Sequence, residues 1–286
     1  MKLQEDMKKH TTFRIGGPAE VFVDVVSVSV LTELVAYFSK VSQEYYVVGK
    51  GSNLLVGDKG YEGVILHVGN QMSAIERNGN LVTVEAGAGL PQVANFAISE
   101  GLSGLEFAAG IPGSMGGAIV MNAGAYGSEM KNVVKSVTVL NAQGEEMELD
   151  NETMEFGYRT SIIKNRPFLV TKVVLELKEG DSKASREEAD SYLASRKEKQ
   201  PLEFPSAGST FKRPEGYFAG KLIMDAGLRG FRIGDAQISE KHCGFVVNIG
   251  NATAEDVREV MDEATRRVKE HFSVELEPEV IFLGDF

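Results

Sequence analysis

The sequence predicts an α+β fold, and three observations carry that reading. β-Branched runs alternate with a helical pattern over residues 20–70, two hairpin signals lie between residues 73 and 150, and capped helical patterns dominate after residue 180. The chain has 286 residues, 43% hydrophobic and 25% charged. That is ordinary globular composition, enough for about two domains without disulfide staples.

Each element has a local reason. Val21–Val26 is a β-branched run, and Ser29 is a candidate cap for the helical pattern Val30–Ser39. Tyr45–Val48 reads as a short strand leading into Gly49–Asn53, and Gly63–Val68 as another. Ala74–Arg77 and Leu81–Glu85 flank Asn78-Gly79, a hairpin signal. Leu90–Gly101 reads as a helix, with Pro91 in its first turn and Gly101 past its end. Val133–Leu140 and Glu145–Leu149 form a second hairpin around Asn141–Gly144, and Phe168–Leu177 is a long strand. The polar stretch Glu179–Ser185 reads as a boundary. Helices follow at Arg186–Lys199, near Tyr217–Ala226 and over Thr253–Phe272, the last with Thr253 and Asp256 as a variant capping box. Val274–Phe282 ends the pattern as a strand.

Composition excludes several function classes. Net charge is -11, which argues against a nucleic-acid partner, since phosphate backbones demand a basic footprint. The one cysteine, Cys243, rules out an intrachain disulfide and fits a reducing compartment. His10, His67, His242 and His271 are scattered without metal-ligand spacing, so no metal site is expected. Met1–His10 is too polar for a signal peptide, and no run nears the roughly 18 apolar residues of a membrane span. A cytoplasmic protein without membrane attachment is expected; the sequence does not reveal an oligomeric state, a monomer being favoured.

Five strings could carry chemistry. Gly49-Lys50-Gly51-Ser52-Asn53 follows a strand and is either a plain turn or a nest of backbone N–H groups for an anion; Leu54 at the third glycine position denies it a dinucleotide fingerprint. Residues 104–127 hold seven glycines, too apolar a setting for a linker, and either pack tightly or let backbone approach a ligand. Two such loops suggest a pyrophosphate gripped from two sides. Tyr158-Arg159 is a surface pair or a planar fork for a carboxylate. Ser209, in Gly208-Ser209-Thr210-Phe211-Lys212, lacks a nucleophile elbow and is a loop hydroxyl or a proton donor. Glu279, entering an apolar strand, is solvated or held in a site. Arg196, Lys197, Lys199, Lys212 and Arg213 gather positive charge that could receive an anionic nucleotide. Cys243 beside His242 reads as a buried structural thiol rather than a dyad.

Taken in order, seven strings resemble the UDP-N-acetylenolpyruvoylglucosamine reductase (MurB) family: His10–Ala19, Gly49–Leu55, Gly104–Gly127, Tyr158–Ser161, Gly208–Lys212, Gln237–His242 and Glu277–Val280. The resemblance implies the FAD-binding fold of the vanillyl-alcohol-oxidase-like (PCMH-type) flavoproteins in two subdomains, 1–70 and 71–180, with a substrate-binding α+β domain over 181–286. It implies non-covalent FAD, NADPH as reductant and a small-molecule substrate, the enolpyruvyl ether of UDP-N-acetylglucosamine. The length is similar to the shorter of the family's two types. By resemblance Arg159, Ser209 and Glu279 are catalytic. Arg14, Gly49, Lys50, Gly51, Ser52, Asn53, Gly110, Ser114, Gly117 and Gly124 bind the cofactor, and Tyr158, Arg196, Lys199 and Lys212 the substrate. Two rivals stand beside this reading: another FAD oxidoreductase of the same fold, and a non-catalytic nucleotide-binding module lacking need for the trio.

Overall fold

A computed structural model describes residues 1–286. In chain order its main elements are Lys2–Asp6 (β1), Pro18–Asp24 (β2), Val28–Val41 (α1), Tyr45–Val48 (β3), Leu54–Val56 (β4), Tyr61–His67 (β5), Ile75–Asn78 (β6), Leu81–Glu85 (β7), Leu90–Ser99 (α2) and Met115–Val120 (α3). There follow Val134–Leu140 (β8), Glu146–Asp150 (β9), Leu169–Glu176 (β10), Ser182–Lys199 (α4), Ala219–Asp225 (α5), Arg232–Ile233 (β11), Ala236–Ile238 (β12), Val246–Asn248 (β13), Ala254–Phe272 (α6) and Ile281–Leu283 (β14). No helix is long and apolar enough to cross a membrane.

The chain forms two compact units. Unit 1 comprises Met1, Val23–Lys50 and Val64–Arg196; unit 2 comprises Lys2–Phe22, Gly51–Gly63 and Lys197–Phe286. These divisions are not sequential segments, so they cut the chain elsewhere than residues 70 and 180.

Unit 1 is built on an antiparallel sheet of order β9-β8-β10-β7-β6. The hairpin β6–β7 pairs Asn78 with Leu81 across Gly79-Asn80, and Gly79 takes φ +63° as a tight two-residue loop requires. β8 and β10 bury Val137, Val139, Val173 and Leu175, and α3 packs on β10 and β7. α2 turns Leu90, Val93, Ala94, Ala97 and Ile98 inward, a spacing that matches one helical face. β3 and β5 pair in parallel from Tyr45↔Val64 to Val48↔His67.

Unit 2 gathers three chain segments around one core. Antiparallel β11-β12-β13 supports α6. Phe13, Ile15 and Leu55 join Leu222, Ile223, Val257, Val260, Met261 and Val268 in the same buried cluster. β4 pairs in parallel with β14, Leu54↔Ile281 to Val56↔Leu283. The capping box of α6 forms as the sequence predicts: Thr253 Oγ1 accepts from Asp256 N at 3.0 Å, and Asp256 Oδ2 accepts from Thr253 N at 2.9 Å.

Three local expectations are corrected. Ser27, not Ser29, caps α1, accepting from Val30 N at 3.3 Å, because the helix starts early enough to put Ser29 inside its first turn. α4 begins at Ser182 rather than Arg186, inside the polar stretch, with Asp181 Oδ1 accepting from Lys183 N at 2.7 Å. Val274–Phe282 is not one strand: only Ile281–Leu283 enters a ladder, and Pro278, lacking an N–H, makes a single bridge to Phe211.

Candidate active site

In unit 1 the two glycine-rich loops meet. A Cβ on Gly49 would lie 2.1 Å from Ser114 Oγ, so only glycine permits this approach. Ser114 caps α3 by accepting from Gly117 N at 3.4 Å, and bridges to Gly89. A Cβ on Gly117 would meet nothing nearer than Ser114 Oγ at 3.4 Å, and one on Gly89 nothing nearer than 4.0 Å, where Lys50 Cε lies. Lys50 Nζ donates to Asn70 Oδ1 at 3.1 Å. Gly49 lets Ser114 approach, and Gly89 and Gly117 leave room beside it that side chains would fill, a cradle with the Lys50 cation at its rim that fits a diphosphate. Met115 N and Gly116 N are engaged elsewhere, donating to Ala88 O and Ala86 O, both at 2.8 Å. The Ser114 hydroxyl and the Gly49-Lys50 side flank the cradle.

Arg159, also in unit 1, occupies the second position of a two-residue loop between Gly157 and Thr160, whose backbones exchange hydrogen bonds at 3.1 and 3.3 Å. Its φ is +54°, a conformation that costs a non-glycine residue energy and clusters at functional sites. The half-buried guanidinium donates from Nη1 to Gly124 O at 3.4 Å and lies 5.7 Å from the exposed Tyr158 ring. Gly124, assigned to the cofactor by resemblance, is glycine because a Cβ would come 2.6 Å from Ser128 O across a tight hairpin.

In unit 2 the structure brings Ser209 and Glu279 onto paired segments. Glu279 N donates to Thr210 O at 2.9 Å, Lys212 N donates to Glu277 O at 2.8 Å, and Phe211 bridges Pro278. Thr210 fixes the loop from behind: its N donates to Gly244 O and its Oγ1 accepts from Val246 N, both at 2.9 Å. Thr12 Oγ1 pins Ser206 O at 2.7 Å. Ser209 and Glu279 are themselves half-exposed on this frame. Lys212 Nζ pairs with Glu277 at 2.9 Å and holds that carboxyl below its ordinary range.

The remaining expected residues are spread over both units. Gly51 takes φ +59° and a Cβ there would stand 2.0 Å from His10 O, so its glycine serves backbone packing. Arg14 is exposed with φ +56°. Ser52 and Asn53 follow in unit 2, where Asn53 Nδ2 donates to Glu279 O at 3.0 Å. Arg196 lies in unit 1, where a Cβ on Gly110 would come 3.1 Å from its Cδ; burial lowers its pKa, yet a guanidinium stays charged. Lys199, three residues on, is exposed in unit 2. Cys243 is buried and its pKa is raised by that burial, which makes an inert thiol. No group of three or more His, Cys, Asp or Glu is placed to hold a metal.

Sequence reasoning missed three participants. Gly89 lines the cradle, and its only signal was a glycine before a helix. Tyr126, at φ +54°, stacks on Tyr192 at 4.1 Å and donates to Tyr192 O at 2.8 Å, tying α4 to the glycine-rich region. Asn122 anchors the Arg159 turn. The carbonyls that Asn122 Nδ2 and the Tyr126 hydroxyl reach lie 35 and 66 residues away, beyond any local pattern.

Comparison with known proteins fits this arrangement. Residues 200–283 match the family described as UDP-N-acetylenolpyruvoylglucosamine reductase, C-terminal domain, and residues 19–150 match the FAD binding domain family. The chain is 47% identical over 283 residues to the UDP-N-acetylenolpyruvoylglucosamine reductase of Caldanaerobacter subterraneus subsp. tengcongensis, covering 99% of this chain and 93% of that one. It is 49% identical over 298 residues to that of Agathobacter rectalis, with the same coverage. The crystal structure of UDP-N-acetylenolpyruvylglucosamine reductase (MurB) from Thermus caldophilus superposes with a TM-score of 0.84 at 38% identity, covering 97% of each chain. The chain therefore carries an FAD-binding domain of the expected PCMH-type fold and belongs to the UDP-N-acetylenolpyruvoylglucosamine reductase family.

Proposed function

We propose that this protein uses NADPH to reduce the enolpyruvyl ether of UDP-N-acetylglucosamine to UDP-N-acetylmuramate, a peptidoglycan precursor. The observation that carries the proposal is the pairing in unit 2 that sets Ser209 and Glu279 on adjoining segments through the 2.9 Å Glu279 N to Thr210 O bond. The chemistry that bound FAD supplies is two-electron hydride exchange, from NADPH to the terminal vinyl carbon of the enolpyruvyl group. Gly49, Lys50, Ser114 and Gly117 would hold its diphosphate, with Arg14, Gly51, Ser52, Asn53, Gly110 and Gly124 as further contacts. Arg159 would meet the substrate carboxylate with its planar fork and stabilise the negative charge that develops across C2 and that carboxylate. Glu279 would work protonated or as a hydrogen-bonding group, because a bare anion beside that charge would repel it. Ser209 would give the proton to C2. Tyr158, Arg196, Lys199 and Lys212 would hold the remainder of the substrate.

In this reading residues 1–70 and 71–180 serve the flavin and 181–286 the substrate. The protein works in the cytoplasm, as its single thiol suits, as a monomer without nucleic-acid or membrane partners. An anaerobic single turnover tests the function. Yellow protein should bleach with NADPH and regain colour with the enolpyruvyl substrate. Bleaching without recovery would mean an oxidoreductase for another substrate; protein without flavin would mean a nucleotide-binding module.

A further inference from the structure

Asn122 lies just past α3 and is 1% exposed, with φ +41°. Its amide is doubly used. Oδ1 accepts from Lys131 N at 2.9 Å, which fixes the amide's orientation and leaves Nδ2 to donate to Gly157 O at 3.0 Å. Gly157 O is also the carbonyl that closes the Arg159 turn, accepting from Thr160 N at 3.3 Å. A second strap lies one residue beyond that turn: Ser161, 2% exposed, donates from Oγ to Val120 O at 3.1 Å. Both straps run to the C-terminal exit of the short helix whose first turn is capped by Ser114 at the diphosphate cradle.

We infer that Asn122 is a positioning residue for Arg159: its carboxamide sets where the Tyr158-Arg159 turn stands, and so where the guanidinium meets charge. Asparagine suits the task uniquely. It tolerates the left-handed backbone, and it offers a donor and an acceptor on one short side chain. Aspartate keeps only the acceptor, glycine keeps only the backbone, and alanine keeps neither. The inference rests on the proposed role of Arg159, and the test separates the two.

Asn122→Gly preserves the positive φ and deletes both side-chain bonds. Asn122→Asp keeps the bond from Lys131 N and sets a carboxylate against Gly157 O. In holoenzyme, either variant should raise hydrogen exchange in a peptide covering residues 157–161. Single-turnover substrate reduction should fall roughly 10- to 100-fold, as for a catalytic group displaced by about an ångström. Flavin content and the rate of NADPH oxidation should hold. In an Arg159→Ala background the same substitutions should add little further loss. Unchanged exchange at 157–161, or the same fold loss with and without Arg159, would overturn the inference. Raised exchange together with a catalytically silent Arg159→Ala would keep the positioning and reject the role proposed for Arg159. Ser161→Ala, which removes the second strap alone, supplies a milder version of the same measurement should the Asn122 variants fold poorly.

Discussion

Asn53 grips the chain on both sides of Val280: its Nδ2 donates to Glu279 O at 3.0 Å, and its own carbonyl accepts from Ile281 N at 2.9 Å. The loop expected to serve the cofactor thereby also sets the height of a candidate catalytic carboxylate. Asn53→Asp replaces the donor with an acceptor facing a carbonyl, while any backbone contact of residue 53 to FAD survives. Flavin content should stay near one per chain, and substrate-dependent reoxidation should slow by about 10-fold or more as Glu279 shifts. Loss of flavin with normal reoxidation of what remains would reject this division of labour.

Ser209→Ala separates the two half-reactions. Flavin reduction by NADPH needs no proton from this serine, so rapid-mixing spectra should show that step nearly unchanged. Reoxidation by substrate should fall by roughly 10²–10⁴-fold, the range for losing one positioned acid, and Ser209→Cys should recover part of it. Ser206→Ala is the control. Thr12 holds the Ser206 carbonyl, and its hydroxyl makes only a 3.5 Å contact from Gly208 N, so the loop should keep its shape. Equal slowing of both half-reactions by Ser209→Ala would mean a disordered loop.

The glycines predict opposite outcomes at two positions. Gly117→Val places methyl groups where the fold leaves room and should weaken FAD binding at least about 10-fold, with apoprotein stability changed by no more than about 1 kcal/mol. Gly51→Val drives a side chain into His10 O at 2.0 Å from a residue at φ +59°, so folded protein itself should be lost. Flavin titration and urea unfolding of both variants check the pair; a well-folded Gly51→Val protein lacking only flavin would contradict it.

Acid should weaken α6 through Glu263. Hydrogen bonds from Arg266 and then Arg267 hold its carboxyl at about 2, against an ordinary 4.5. A depressed folded value means the stabilisation is complete above 4.5 and shrinks as pH falls from there to about 2. Because the cluster lies on a helix surface, its size should be about 1 kcal/mol or less. Glu263→Gln should be less stable than wild type at neutral pH, with the gap closing through that window in urea titrations. A gap independent of pH would remove the carboxylate as its cause.

Much of the fold was legible because its signals are local. Pro91 and Gly101 bracket a helix, Asn78-Gly79 folds a hairpin, and Thr253 with Asp256 starts α6, each within a few residues of its cause. Ser209 and Glu279 stand out in the sequence as open candidates to which the family resemblance gives roles; their pairing, 70 residues apart, could not be read from periodicity. Ser27 was missed because two serines fit the cap and only the true start of α1 chooses. Asn122 and Tyr126 were missed for a deeper reason. Their roles rest on left-handed backbone and on bonds to distant carbonyls, which no spacing rule encodes.

The core of unit 2 has a consequence for biosynthesis. Phe13, Ile15 and Leu55 are synthesised well before the residues that bury them, which run from Ala207 to Val280. About 200 residues must be made before the first apolar side chains of this unit can be covered, a separation that slows folding and prolongs exposure of sticky surface. A fragment cut to residues 200–283, the span of the C-terminal family match, would lack those three side chains and, at about 2–5 kcal/mol for each large core truncation, should not hold together. The segment that carries Phe13, Ile15 and Leu55 is thus a late-closing keystone: nascent protein must be shielded until the partners between Ala207 and Val280 have been made, and supplying residues 2–63 in trans is the natural way to rescue such a fragment.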